Sequence, residues 1–280
     1  MEQIHAMLTP IKDYPAIVIS DHGPRTLIIS DLHIGWEIGL SKKGIHVPSQ
    51  MPRLRRRLIR LISKTSPNRL IVLGDVKHTI AKTELGEWRD VPQFFSGLMK
   101  EIRDIQIVRG NHDGNLEPLL PSTIHIHPAP GIALGDLGVF HGHTWPSKKL
   151  LECKTLLMAH VHPTVALSDT FGYRMVAPVW IKARLRSREL ARIYEERQTK
   201  TRTPRGASVE NPVRPRAKQL FVMPCFNHFL GGRPINKPSK GRKYISPLLR
   251  SKAVDLDQAD VSLLDGSFLG KTEQLKTLTR

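Results

Sequence analysis

Five short motifs rich in Asp, His and Asn occur in fixed order along this 280-residue chain. They are Asp31-Leu32-His33, Gly74-Asp75, Gly110-Asn111-His112-Asp113, His141-Gly142-His143 and His160-Val161-His162. Carboxylate, amide oxygen and imidazole are the donors that hard and borderline divalent cations take. Asp31, His33, Asp75, Asn111, His141, His160 and His162 supply these donor types, enough to share between two cations. A carboxylate such as Asp75 can bridge such a pair. Water shared by two metals is acidified enough to supply hydroxide near neutral pH, and the pair clamps an in-line phosphoryl displacement. Cys153 and Cys225 are far apart in sequence and join none of the motifs, so a tetrahedral structural zinc site is not expected.

Such residues need elements to bring them together. Ile28-Ile29 leads into the first motif, Leu70-Ile71-Val72-Leu73 into the second, Ile105-Gln106-Ile107-Val108 into the third and Leu156-Leu157-Met158-Ala159 into the last. An apolar run ending in polar ligands reads as a buried strand delivering side chains to a sheet edge, and ligands of open α/β sheets collect at the carboxyl ends of strands. Residues i and i+2 of a strand share a side, so Asp31/His33 and His160/His162 are each expected to present two ligands to one place. Further strands are expected over 16–20, 26–30, 123–127, 132–134, 138–140 and 175–185. Apolar signal returns at 220–223 and 261–264. A helix starts near Ser49 or Met51 and runs to about Lys64, with Leu54, Leu58, Leu61 and Ile62 on one face and Arg53, Arg56, Arg57 and Arg60 on the other. A second helix is expected around 94–103. Gly-rich loops of the P-loop or dinucleotide type are absent.

The five motifs in this order resemble the calcineurin-like metallophosphoesterases. Ser30-Asp31-Leu32-His33-Ile34-Gly35-Trp36-Glu37, Leu73-Gly74-Asp75-Val76-Lys77-His78 and Met223-Pro224-Cys225-Phe226-Asn227 resemble a narrower group, the archaeal SbcD-related and bacterial ligase-associated phosphoesterases. The resemblance spans about residues 15–270. It implies an α/β fold, a four-layer αββα sandwich of two mixed β-sheets flanked by helices. It implies one cation on Asp31, His33, Asp75 and His162 and another on Asp75, Asn111, His141 and His160. His112 is then the catalytic imidazole, oriented by Asp113. Asp/Asn/His ligation suits manganese, iron, zinc and others; manganese is the first expectation, with iron, zinc, nickel or magnesium as alternatives. One departure is visible: the family usually has Gly before the last His pair, where this chain has Ala159.

Forty per cent hydrophobic and 24% charged residues give enough apolar material for a globular core. The expected organisation is one metallophosphoesterase domain over 1–280. A basic flexible insertion is expected at about 198–218, where large apolar side chains are nearly absent. The net charge is +18, and residues 184–250 hold seventeen Lys or Arg against four Glu, a net of +13. That excess points to a polyanionic partner, nucleic acid first. The resemblance adds a helicase or another repair or processing protein as a partner. No signal peptide or apolar run of membrane-spanning length is read, and the two separated cysteines suit a reducing compartment, so a soluble, cytoplasmic protein is expected. The sequence reading is a dinuclear-metal phosphodiesterase, a nuclease acting on DNA or RNA. A small-nucleotide phosphodiesterase or phosphatase and a non-catalytic nucleic-acid-binding subunit of a helicase complex are its alternatives. Among the remaining candidates, His125-Ile126-His127 is read as an ordinary strand pair despite its His-x-His pattern. His143, Lys77, His78 and Arg109 stand where either a structural or a substrate-facing role would fit.

Overall fold

The computed structural model describes residues 8–20, 23–168, 171, 173–201, 214–237 and 245–277. Its first sheet holds β1 (Thr9–Pro10), β2 (Ile17–Ile19), β3 (Thr26–Ser30), β4 (Arg69–Leu73), β5 (Asp104–Val108) and β6 (His125–His127), side by side in chain order. The β1–β2–β3 pairings are antiparallel and β3 through β6 are parallel. The second sheet is built from β7 (Ile132–Leu134), β8 (Leu137–Val139), β9 (Thr155–Met158), β10 (Pro163–Ser168), β11 (Arg174–Leu185), β12 (Gln219–Val222), β13 (Arg233–Pro234), β14 (Val254–Leu263) and β15 (Phe268–Lys271). Its order is β13-β10-β11-β12-β9-β8-β7, with β14 also beside β11 and β15 beside β14.

Period-two alternation divides the strand residues between layers. Leu27, Ile29, Leu70, Val72, Ile105 and Ile107 face outward and pack under α2 (Met51–Thr65) and α3 (Leu85–Leu98). Ile28, Ile71, Leu73 and Val108 face inward, against Leu137, Val139, Leu157, Trp180 and Met223 of the second sheet. On the far face of that sheet, Leu156, Met158, Ile181, Leu220 and Val222 pack with Leu150 and Leu151 of α4 (Lys148–Leu151), Leu190 of α5 (Ser187–Thr201) and Leu275 of α6 (Thr272–Thr277). The result is a four-layer αββα sandwich. Parallel strands buried on both faces must be apolar throughout, which is why their sequence runs lack alternation.

α2 buries Leu54, Leu58, Leu61 and Ile62 as expected, each contributing about 1.5–3 kcal/mol of burial. Ser66, in the left-handed region, ends it. Arg57 departs from the other arginines of its face. It is half-buried, lies 5.0 Å from the Phe226 ring and donates to the Phe226 carbonyl at 2.9 Å. α3 begins at Leu85, well before the expected 94, because Glu84 and Glu87 form a capping box there, and it ends at Leu98. Pro92 lies inside it and hid its first half from sequence reasoning. α5 extends to Thr201, into the stretch expected to be flexible. Leu190 anchors it, and Arg192 pairs with Glu189 and Glu196 on its exposed side. At the other end of that stretch, Arg216 and Ala217 donate backbone N–H groups to Leu151, and Ala217 is buried. Residues 202–213 lie outside the described residues. No helix among the described residues is long and apolar enough to cross a membrane.

Candidate active site

β3, β4 and β5 end in register, Ser30 opposite Leu73 and Leu73 opposite Val108. In the facing sheet, Val222 of β12 lies opposite Met158 of β9, and Val139 of β8 opposite Leu157. The five motifs leave the two sheets within a few residues of these ends.

Asp31, His33, Asp75, His160 and His162 do not lie in strands, contrary to the expectation of alternating strand side chains. All five adopt left-handed backbone conformations, with φ between 42° and 70°. Such φ values cost about 1–3 kcal/mol per residue and persist only where the surroundings enforce them. Here they are enforced by backbone bonds between the motifs. Asp31 N–H donates to Gly74 at 3.1 Å and His33 N–H to Asp75 at 2.8 Å; Ala159 N–H donates to His141 at 2.9 Å. Gly110 lets the loops meet: a Cβ there would lie 2.2 Å from Asp75 Oδ1. The turns send His160 and His162 to different places. Ligand atoms of Asp31, His33 and His162 lie within 4.8 Å of one another, as do those of Asp75, His141 and His160. The methyl of Ala159 is absorbed into the core between the sheets.

Asp75 Oδ2 stands between the two groups, 3.5 Å from His33 Nε2 and 3.3 Å from His141 Nε2. Asn111 joins the second group, its Oδ1 3.3 Å from His141 Nε2. His162 Nε2 lies 3.3 Å from Asp31 Oδ1 in the first. His141 Nδ1 lies 2.7 Å from the Leu73 carbonyl, which turns Nε2 toward the centre. Both Asp31 carboxylate oxygens, His33 Nε2 and His162 Nε2 are buried without a hydrogen-bond partner. Buried polar groups are normally paired. Four orphaned donor-type atoms converging on one point fit a cation, and their types fit a divalent one.

The electrostatics agree. Burial would raise the Asp31 and Asp75 carboxyls, but the His162 charge at Asp31 and the His141 charge at Asp75 outweigh it and hold both below the ordinary carboxylate value. The same attraction overcomes burial at His141, raised to about 9, chiefly by Asp75, and at His162, raised to about 12, chiefly by Asp31. Burial dominates at His33 and His160, both lowered to about 3, which leaves their rings neutral and able to donate lone pairs.

His112 is placed by two contacts. Its backbone N–H donates to Asp75 Oδ1 at 2.9 Å, and its ring Nδ1 contacts the His78 carbonyl. Nε2 is left on the side of Asp75 Oδ2, 3.8 Å away. Asp113 does not orient this imidazole, contrary to the expectation from resemblance. Its carboxylate is fully buried and accepts the backbone N–H groups of Asp75 at 2.9 Å, Val76 at 2.8 Å and Gly110 at 2.8 Å. Burial first, then the Asp75 charge, raises its pKa to about 6.

His78 sits against the centre, with Nδ1 3.4 Å from His33 Nδ1. Lys77 is fully buried and donates to the Thr79 carbonyl, so it faces no substrate. Arg109 is held by Glu117 and by the Asp113 carbonyl. His143 lies beside His141 and His160, and burial lowers it to about 4. His125 and His127 pack on each other in β6, and His127 meets Gln106, away from both groups. Sequence reasoning missed Glu87. This fully buried carboxylate accepts the N–H groups of His78 at 3.0 Å and Thr79 at 2.7 Å, fixing the carbonyl that holds His112. The Glu84-x-x-Glu87 spacing was its only signal, weak because Glu is an uncommon N-cap.

A comparison with curated proteins found no match. Among solved structures, the chain is similar to the Pseudomonas putida nuclease MPE at 17% identity. That match covers 94% of this chain and 100% of the other, with a TM-score of 0.49. It is also similar to Yfce, a phosphoesterase from E. coli, at 15% identity over 88% of this chain and 97% of the other, with a TM-score of 0.37. Residues 24–189, more than half of the chain and including all five motifs, match the family described as Calcineurin-like phosphoesterase. The chain belongs to that family, a hydrolase family that uses divalent metals, and its two donor groups around Asp75 are where such metals fit.

Proposed function

We propose that this chain is a dinuclear-metal phosphodiesterase that cuts nucleic acid, DNA or RNA. The observation that carries the reading is the pair of donor groups meeting at one oxygen of Asp75. Asp31, His33, His162 and Asp75 would hold one cation, and Asp75, Asn111, His141 and His160 the other, with manganese the first candidate among the divalent cations that such ligation suits. When bound, such a pair supplies Lewis-acid charge at a phosphoryl oxygen and acidifies water.

The chain's own residues do the rest. Asp75 Oδ1 and the His78 carbonyl fix His112 from two sides. With Nδ1 donating to that carbonyl, Nε2 is the nitrogen that exchanges a proton with a substrate oxygen. Asp113 holds the turns of Asp75 and Gly110 together, so the carboxylate and the loop bearing Asn111 keep their relative position. The buried walls around Asp31 and His33 exclude water from that side.

The nucleic-acid substrate is supported by the charge of +18. Backbone phosphates attract Lys and Arg without sequence readout, which suits a nuclease of low sequence specificity. Membership of the SbcD-related or ligase-associated group, with a helicase or other repair or processing partner, belongs to the same reading and rests on the motif resemblance. The test is a gel assay with labelled single- and double-stranded DNA and RNA under several metals, with binding measured against salt. Metal-dependent cleavage and an affinity that falls steeply with salt support the reading. Hydrolysis confined to small nucleotides, or salt-independent binding, overturns it.

A further inference from the structure

The segment after β12 forms a strap along the rim of the donor group of Asp31, His33 and His162. At one end, Cys225 Sγ contacts the Asp31 carbonyl at 3.1 Å, and Asn227 Nδ2 donates to the Leu32 carbonyl at 2.8 Å. At the other end, Gly232 presses on the loop of His162, where a Cβ would lie 1.8 Å from the His162 carbonyl oxygen. Between these anchors come His228 and Phe229. Asn227 Oδ1 accepts the Phe229 N–H at 3.1 Å, which directs that turn.

The Phe229 ring stacks on Trp36, with centroids 5.9 Å apart and planes 20° apart. On Phe229 lies His228, 4.0 Å away at 37°. Trp36 belongs to the metal-ligand loop itself, since its N–H donates to the His33 carbonyl at 3.2 Å. Three rings thus follow one another from the His33 loop to the surface, Trp36 and Phe229 half-buried and His228 exposed. The stack satisfies no core: neither Phe229 nor His228 belongs to the buried clusters.

α2 lies against the back of the strap through Arg57 and Phe226. Its Arg53, Arg56 and Arg60 are exposed, and no carboxylate among the described residues pairs with them. The Arg57 and Arg53 charges add to burial in lowering the His228 pKa, so these guanidiniums stand near the end of the ring stack. Aromatic rings beside unpaired cations are what a single strand requires: bases stack on the rings and phosphates meet the charges.

We propose that Trp36, Phe229 and His228 form a stacking platform for an unpaired base beside the scissile diester, with the exposed Arg53 of α2 taking a backbone phosphate. This rests on the nuclease reading and narrows it to a single-stranded or frayed substrate, because a base inside a duplex has no free face to offer.

The test is KM for a single-stranded oligonucleotide, intact and with an abasic residue walked along it, using the full metal-loaded chain. His228→Ala and Phe229→Leu should each raise KM for the intact strand about ten-fold, the typical loss of one base–aromatic stack. The effect should vanish for the strand whose abasic residue sits at the platform, since its stacking partner is already gone. An unchanged KM on the intact strand overturns the proposal, as does an equal rise on intact and abasic strands. If the unmodified chain cuts no oligonucleotide at all, the nuclease reading itself fails, and that outcome is seen before any variant is made.

Discussion

The carboxylate of Asp113 accepts the backbone N–H of Asp75 at 2.9 Å, so one buried acid holds the other in its left-handed turn. The same carboxylate takes the N–H groups of Val76 and Gly110, which ties the second motif to the third. Two acids joined by one hydrogen bond therefore divide the work. Asp75 points its free oxygen into the centre, and Asp113 spends both of its oxygens on backbone.

Asp113→Asn should behave as a stability variant. The amide has almost the same shape, but its NH2 replaces an oxygen that accepts backbone N–H groups, and at least one buried donor is left facing a donor. The expected cost is about 1–3 kcal/mol. Chemical denaturation of the metal-free variant measures it. Unchanged stability with a loss confined to kcat would restore the idea that Asp113 acts by orienting His112.

Asp75→Ala and His112→Ala should separate metal binding from chemistry. Asp75 Oδ2 is the oxygen shared by the two donor groups, so Asp75→Ala should lose bound metal and activity together. His112 approaches Asp75 and lies within reach of His33 and His78, but it belongs to neither of the two groups that contain Asp31 and His141. His112→Ala should keep its metal while turnover falls by ~10²–10⁴-fold, the usual contribution of a positioned acid or base. Elemental analysis and single-turnover hydrolysis check both variants. A metal-free His112→Ala protein would contradict this division.

The sandwich was legible in the sequence because parallel strands buried on both faces leave unbroken apolar runs such as Leu70–Leu73 and Leu156–Ala159. Most of the residues that the fold brings together were legible because four of the five motifs follow such a run, the His141 motif being the exception. The local geometry was not. Nothing in Asp31-Leu32-His33 shows that both ligands sit at positive φ, since that conformation is imposed by Gly74 and Asp75, about forty residues away in sequence by ordinary pairing of β3 with β4. The role of Asp113 was hidden for a similar reason: adjacency to His112 suggested a side-chain pair, whereas the turn after Gly110 points the carboxylate back at the backbone. Glu87 was missed because its partners, His78 and Thr79, are met only after the chain folds back at the start of α3.

Glu87 should matter through His78. Its Oε1 accepts the N–H groups of His78 and Thr79, and its Oε2 that of Glu84 at 2.9 Å. Glu87→Gln keeps one acceptor oxygen for the first two, while Glu87→Ala leaves the Thr79 and Glu84 N–H groups without that partner and the His78 N–H with only the Ile34 carbonyl, 3.0 Å away. The His78 carbonyl that fixes His112 should then move in the Ala variant more than in the Gln variant. Steady-state hydrolysis of a small diester at saturating metal should show kcat falling in Glu87→Ala and largely rescued in Glu87→Gln, with KM changing less than kcat. Equal kcat in the two variants and the unmodified chain would show that His112 is held without Glu87.

Metal uptake should release protons. In the metal-free centre, Asp75 and Asp31 overcome burial and raise His141 to about 9 and His162 to about 12, so both rings carry a proton at pH 7. His33 and His160, lowered to about 3 chiefly by burial, carry none. A cation needs a free lone pair on each imidazole it binds, so loading must displace the protons of His141 and His162. The sign follows: between pH 6 and 8, both limits being roughly a unit or more below the lower of the two raised values, acid should weaken metal binding and alkali strengthen it. Calorimetric titration with manganese in two buffers of different ionisation enthalpy reads the release directly, and about two protons per chain are expected at full loading. A heat of binding that is the same in both buffers would mean that loading displaces no proton from these two histidines.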